Sequence, residues 1–184
     1  MDLRAQGLNA LVTGGTRGIG RAVVSTLLDE GVNVAFCARG ADAVRKTAQE
    51  LSGGAARVIG DAVDVGDAEA MNAWVERSAE AMGGIDIVVS NVSALAIPDT
   101  DENWEASINV DLMGTVRLVK SAMPHLEKSR AGAIVTVSSV SGREVDFASG
   151  PYGTVKTAIV GYTQGLAFQL AGKGIRANTV SPGN

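Results

Sequence analysis

Apolar residues along this chain fall into two alternating patterns. Short runs that are apolar almost throughout occupy 8–12, 32–37, 56–60, 85–90, 133–138 and 175–180. A run with no polar side predicts a strand covered on both faces, the mark of a parallel sheet. Between these runs the apolar spacing changes to three and four. Ile19, Val23, Thr26 and Leu27 mark one helical face, and Met71, Trp74, Val75, Ser78 and Met82 mark a second. Leu112, Val116, Val119, Met123 and Leu126 mark a third. Residues 152–171 form a fourth helical stretch, rich in Ala and Gly. Strand then helix, repeated about five times, predicts one α/β domain over 1–184 with right-handed crossovers. The longer polar connection 92–103 follows a strand, where ligand-binding loops belong.

Composition narrows the class of protein. Of 184 residues, 46% are hydrophobic and 20% charged, which excludes collagen, coiled coil and general disorder. Sixteen Lys and Arg against twenty Asp and Glu leave a net charge of −4, against the basic stripe of a dedicated nucleic-acid binder. No apolar run approaches the ~18 residues that span a bilayer. No secretory signal pattern opens the chain. A soluble cytoplasmic protein with no membrane or nucleic-acid partner is therefore expected. Cys37 is the only cysteine, so an internal disulfide or a Cys-based metal cluster is excluded. It reads as a small buried hydrophobe. The single histidine, His125, forms no triad or metal cluster and is expected at the surface.

The first chemical signal is Thr13-Gly14-Gly15-Thr16-Arg17-Gly18-Ile19-Gly20, between the first strand and the first helix. Glycines there permit a tight turn and bring backbone N–H groups toward a pyrophosphate at the helix N-terminus. There is no Gly-Lys-Ser/Thr, so an NTPase P-loop is excluded. Later, Tyr152-Gly153-Thr154-Val155-Lys156 sets a phenol and an ammonium one helical turn apart on a common face. An adjacent ammonium stabilises a phenolate and makes the phenol a usable acid or base near neutral pH. Ser138-Ser139 closes the fifth strand, at the end where open α/β sheets meet their ligands.

With these motifs in place, the chain resembles the short-chain dehydrogenase/reductase family, whose early motif is Thr-Gly-x-x-x-Gly-x-Gly. The resemblance extends over 8–183. It implies a three-layer Rossmann-type doubly wound parallel sheet that binds a nicotinamide dinucleotide at Gly14, Thr16, Arg17, Gly18, Ile19 and Gly20. In the family the catalytic Ser precedes the Tyr by thirteen residues, which selects Ser139 over Ser138. Ser139, Tyr152 and Lys156 are then the implied catalytic set, with 3-oxoacyl-[acyl-carrier-protein] reductase the nearest functional type. The implied reaction is hydride transfer between nicotinamide and a carbonyl or secondary alcohol. Tyr152 is the proton donor, Ser139 holds the carbonyl oxygen, and Lys156 bonds the nicotinamide ribose beside Tyr152.

At the end of the second strand, an acidic residue would hold the ribose 2′-OH and a basic one a 2′-phosphate. Ala38 and Arg39 stand there, and Arg17 lies in the glycine turn. Two guanidinium groups suit a dianionic phosphate, so NADP(H) is expected ahead of NAD(H). By resemblance Asp64, followed by Val65, faces the adenine amino group; the plain alternative is a turn aspartate. Ser90-Asn91-Val92-Ser93 stands where the family shows Asn-Asn-Ala-Gly. Asn91 matches and Val92 lies beside it at the cofactor, while Ser90 and Ser93 depart. Pro182 and Gly183 resemble the turn that cradles the carboxamide side of the nicotinamide. Three residues before Gly114 the family carries Asn; here it is Asp111. A backbone role and a carboxylate pairing with Lys156 both stay open for it.

Relatives carry further chain after the Pro-Gly turn, so a chain longer than 184 residues is expected, with much of the substrate specificity beyond Asn184. The helices near Leu112 and Tyr152 imply a homo-oligomer, a dimer or tetramer. The competing reading is a catalytically idle dinucleotide-binding or regulatory module of the same fold.

Overall fold

A computed structural model describes residues 4–183. Six strands form one sheet: β1 Asn9–Thr13, β2 Asn33–Ala38, β3 Val58–Ala62, β4 Ile87–Ser90, β5 Ala133–Val137 and β6 Arg176–Val180. Every pairing is parallel and the spatial order is β3-β2-β1-β4-β5-β6. The order reverses between β1 and β4, which creates a crevice outside their carboxyl ends.

Strand alternation divides the core into two. Leu11, Ala35, Cys37, Val88 and Ile134 face one side, where they meet α3 (Ala68–Met82), α5 (Met113–Leu126) and α6 (Pro151–Leu170). Ala10, Val12, Val34, Phe36 and Val89 face the other, against α1 (Gly18–Asp29) and α2 (Ala41–Leu51). The result is the expected three-layer, doubly wound sheet. Trp74, fully buried on α3, is the largest side chain of the first core. Helix α3 is closed by Asp67, which accepts from the N–H groups of Glu69 and Ala70, and by Gly83 in the left-handed conformation.

Several expectations need correction. Ile19 and Thr26 are exposed; the buried residues of α1 are Gly20 and Val24, because the helix starts against the glycine turn and not along a regular stripe. Of the two sheet edges, β3 is half-buried, with Ile59 and Val58 packed against the two opposite cores, and β6 exposes Arg176, Asn178 and Val180. Strand β3 also lies two residues beyond the predicted 56–60. The connection 92–103 ends early, at the helix α4 (Asp101–Ala106), capped by Thr100. A π-helical stretch, Ser107–Leu112, then joins α4 to α5. Helix α2 escaped the sequence reading, although Val44, Thr47, Ala48 and Leu51 carry a helical spacing there. Among the described residues no helix is long and apolar enough to cross a membrane.

Candidate active site

The carboxyl ends of all six strands lie along one edge of the sheet, and the expected site residues stand on the segments that leave them. The glycine turn is fixed first. Gly14 and Gly15 both donate to the carbonyl of Cys37, which locks the exit of β1 onto the end of β2. Gly14 has φ +75°, a conformation that glycine adopts without steric cost. At Gly20 a Cβ would lie 2.2 Å from the Gly14 carbonyl oxygen and 2.5 Å from Asn91 Nδ2. The first turn of α1 can therefore close on the strand end only without a side chain there.

Asn91 completes the junction. Its backbone N–H donates to Thr13 Oγ1 at 3.0 Å and its side-chain amide to the Thr13 carbonyl at 3.1 Å. No side chain caps α1, and Arg17, Gly18 and Ile19 are exposed before and within its first turn. The leading N–H groups of a helix have no intrahelical acceptor, so this end is a fitting seat for a phosphate. Arg39, also exposed, leaves β2 two residues past Cys37, the residue to which the glycine turn is bonded.

Two of the expected contacts are narrower than the sequence suggested. Asp64 Oδ1 accepts from the Gly66 N–H at 2.8 Å, the behaviour of a turn aspartate, although the residue is exposed at the crevice end of β3. The Val65 side chain is buried against Gly114 of α5, and its carbonyl accepts from Arg117. Pro182 lies on the far flank, its carbonyl accepting from the Val140 N–H at 2.8 Å, with Gly183 exposed beside it.

The catalytic candidates meet where β5 runs into α6. Ser139 starts a short 3₁₀ turn, Val140–Gly142, and is 8% exposed. Its Oγ accepts from the Ser141 N–H at 3.2 Å and lies 3.3 Å from Ser141 Oγ, which in turn donates to Asp146 at 2.6 Å. The turn is clamped onto α6, because Gly142 packs against the Lys156 backbone and Ser138 Oγ donates to the Lys156 carbonyl at 2.8 Å. Ser138 thus fixes the helix and leaves Ser139 as the hydroxyl at the crevice. Pro151 opens α6, so the phenol of Tyr152 stands in the first helical turn, half-buried. The Lys156 ammonium lies 5.5 Å from the centre of the Tyr152 ring.

Lys156 is buried to 2% exposure. Its Nζ donates to the Val137 carbonyl at 3.2 Å and stands 3.4 Å from Asp111 Oδ2. Burial pushes the lysine below its ordinary pKa, and the Asp111 charge opposes that shift. The question left open for Asp111 is thereby answered: its carboxylate does pair with Lys156. Sequence reasoning kept Asp111 and Ser93 apart as two unrelated departures. The structure joins them, with Ser93 Oγ donating to Asp111 Oδ2 at 2.6 Å. Ser93 lies in the irregular connection after β4 and Asp111 in the π-helical stretch, where the regular helical spacing is broken.

Cys37 is buried, as expected. Desolvation pushes its thiol up to about 12, opposed by the Gly14 N–H and reinforced by the Asp61 charge. The native protein should resist iodoacetamide at about pH 8, since the thiolate is the reactive form. Intact-mass analysis checks this; rapid single alkylation would mean that the glycine turn opens readily. His125 is half-buried and 3.2 Å from Glu76, away from these residues.

Similarity to known proteins follows this geometry. The sequence profile described as short chain dehydrogenase matches residues 8–184. Isoepoxydon dehydrogenase of Penicillium expansum is 43% identical over 97% of this chain and 70% of its own length. Dehydrogenase/reductase SDR family member 4 of Sus scrofa is 36% identical over 95% of this chain and 64% of its own. A short chain dehydrogenase of Burkholderia cenocepacia, solved in complex with NADP, superposes with a TM-score of 0.93 at 34% identity, covering 98% of this chain and 76% of that one. A Serratia marcescens short-chain dehydrogenase/reductase variant gives 0.91 at 30% identity, over 97% and 74%. With its glycine turn, parallel sheet order and matching profile, the chain belongs to the short-chain dehydrogenase family and is an oxidoreductase of that family.

Proposed function

We propose that this protein is an NADP(H)-dependent oxidoreductase that interconverts a carbonyl compound and a secondary alcohol, with Tyr152 as the acid/base. One observation carries the reading. A buried lysine is held by the Val137 carbonyl at the carboxyl end of β5 and by Asp111, one helical turn from a half-buried phenol. Burying an ammonium is costly unless it is paired, so its presence here calls for a use.

Each residue then has a task. The uncapped start of α1, with Gly14, Thr16, Arg17, Gly18, Ile19 and Gly20, would hold the pyrophosphate. Asp64, Val65, Asn91, Val92, Pro182 and Gly183 would line the adenosine and nicotinamide ends. Nicotinamide supplies or accepts the hydride when bound. Ser139 would donate its hydroxyl hydrogen to the substrate carbonyl oxygen, stabilising charge as it develops there. Tyr152 would pass its proton to that same oxygen, and Lys156 would favour the anionic phenol left behind. In the oxidative direction the proton returns to Tyr152.

The Burkholderia relative was solved with NADP, and this supports the same cofactor here. Arg17 and Arg39 on adjoining segments, with Ala38 in place of an acid, support a 2′-phosphate. Arg39→Asp is expected to lower kcat/KM for NADPH about 10- to 100-fold relative to NADH, since a charge-assisted hydrogen bond contributes ~1.5–3 kcal/mol. An unchanged ratio between the two cofactors would remove the 2′-phosphate assignment.

A homo-oligomer fits the exposed apolar side chains Ile108, Met113 and Phe168, the last 88% exposed. A cytoplasmic location belongs to the same reading and rests on the sequence. The reading as a whole is tested by nicotinamide absorbance with a panel of ketones and NADPH, and with secondary alcohols and NADP⁺. Turnover of at least one pair is expected. Tight NADPH binding with no turnover across the panel would favour the idle binding module.

A further inference from the structure

We infer that Ser141 and Asp146 are positioning residues for Ser139: the Asp146 carboxylate fixes the Ser141 hydroxyl, and Ser141 fixes the Ser139 hydroxyl beside the turn that carries Tyr152. The inference rests on the oxidoreductase reading for the task of Ser139, and on hydrogen bonds alone for the link between the three residues.

The segment before α6 inverts the usual partition of side chains. From 143 to 147 every residue except Asp146 is exposed, including Val145 at 93% and Phe147 at 80%. Apolar side chains face outward here and the carboxylate turns inward, against the ordinary tendency of charged residues. Its two oxygens have separate uses. Oδ1 accepts from the Ala148 N–H at 2.9 Å, the two-residue reach of an aspartate turn. Oδ2 accepts from Ser141 Oγ at 2.6 Å, the short range of a bond from a hydroxyl to a carboxylate. A turn alone needs only the first of these.

The Ser141 hydrogen is thereby committed to Asp146. Its oxygen still accepts, and Ser139 Oγ donates to it at 3.3 Å, while the Ser141 N–H donates back to Ser139 Oγ at 3.2 Å. A serine hydroxyl has three staggered positions about one bond, and these two contacts select one of them. The contact donated by Ser139 is longer than the ~2.7–2.8 Å of an ordinary O–H···O bond. Ser139 can therefore pass its hydrogen bond to a substrate oxygen at little cost, while the N–H keeps its own oxygen in place. Without the carboxylate, Ser141 could turn and donate to Ser139, which would leave the Ser139 hydrogen without a fixed direction.

The same carboxylate reaches the phenol's segment through the backbone. Ala148, whose N–H it holds, accepts through its carbonyl from the Gly153 N–H at 2.8 Å. Gly153 adjoins Tyr152 in the first turn of α6, and a Cβ on it would lie 2.8 Å from that carbonyl oxygen and 3.1 Å from the Ser141 carbonyl oxygen. The Asp146 N–H donates to Ser149 Oγ at 2.8 Å, which closes the loop. Ser139 and Tyr152 have to meet one substrate oxygen, and Asp146 is bonded to both segments that carry them.

Two substitutions delete the Ser141–Asp146 bond from opposite sides. Asp146→Asn keeps an oxygen for the Ala148 N–H and turns a donor toward Ser141. Ser141→Ala removes the hydroxyl and keeps the N–H that holds Ser139. Tm, kcat and KM are measured for each variant, for the pair together, and for each on a Ser139→Ala background, with NADPH and a ketone that the wild type reduces. The expected loss in kcat is about three- to tenfold for each, the equivalent of one hydrogen bond, with KM for NADPH little changed. The pair together should lose no more than either alone, and on Ser139→Ala neither should lower the residual rate by more than about twofold. Wild-type kcat in both variants, or a loss that persists in full on Ser139→Ala, overturns the inference and leaves Asp146 a turn residue. The Tm losses of Asp146→Asn and Ser141→Ala should likewise fall short of additive, a readout that needs no turnover. Additive Tm losses overturn the link whatever the activity. A wild type that reduces no ketone, with Tm losses short of additive, faults the oxidoreductase reading alone.

Discussion

Tyr152→Phe is expected to bind NADPH almost as wild type does and to lose turnover about 10²- to 10⁴-fold, the range set by removal of a placed general acid or base. The substitution deletes one oxygen and keeps the ring, which is half-buried on the first turn of α6. That turn is held by elements the substitution does not touch: Pro151 at its start, and the Gly142 backbone packed against Lys156. Fold and cofactor affinity should therefore survive, with a change in NADPH binding below about 1 kcal/mol, less than tenfold in Kd. Fluorescence titration and steady-state rates separate the two effects. Turnover within a few-fold of wild type would end the assignment of Tyr152 as proton donor.

Gly20→Ala should damage the protein itself. The added methyl would lie 2.2 Å from the Gly14 carbonyl oxygen and 2.5 Å from Asn91 Nδ2. The first obstacle is backbone, and its turn is pinned by the bonds from Gly14 and Gly15 to Cys37. The second is an amide committed to the Thr13 carbonyl. Neither can retreat as a flexible side chain would. Either α1 moves off the strand end or the Thr13–Asn91 junction breaks, at a cost of about 2–4 kcal/mol, the upper range for single substitutions. Denaturant midpoints measure that loss, and NADPH affinity should fall with it because the same turn presents the phosphate seat. A variant with wild-type stability and affinity would show that the turn is looser than its hydrogen bonds describe.

Much of this molecule is legible in its sequence. Six apolar runs mark six strands, and the structure orders them as the doubly wound sheet that the resemblance implies. The errors have physical causes. Ile19 shares the spacing of an apolar face and is nonetheless exposed, because a helix at its first turn has too few neighbours for periodicity to select a side. Apolar content does not report position in a sheet, so the half-burial of the edge strand β3 is not visible in its run. Helix α2 was missed between two stronger strand signals, despite its own spacing of Val44, Thr47, Ala48 and Leu51.

The sequence by itself determined the fold class, the glycine turn and the one-turn spacing of Tyr152 and Lys156, because each depends on neighbours along the chain. Only the tertiary structure decided the partner of Lys156 and the connection of Ser93 to Asp111. Those contacts join residues 18 and 45 positions apart, on separate elements, and a buried charge finds its counterion through the packing of whole elements and not through local pattern.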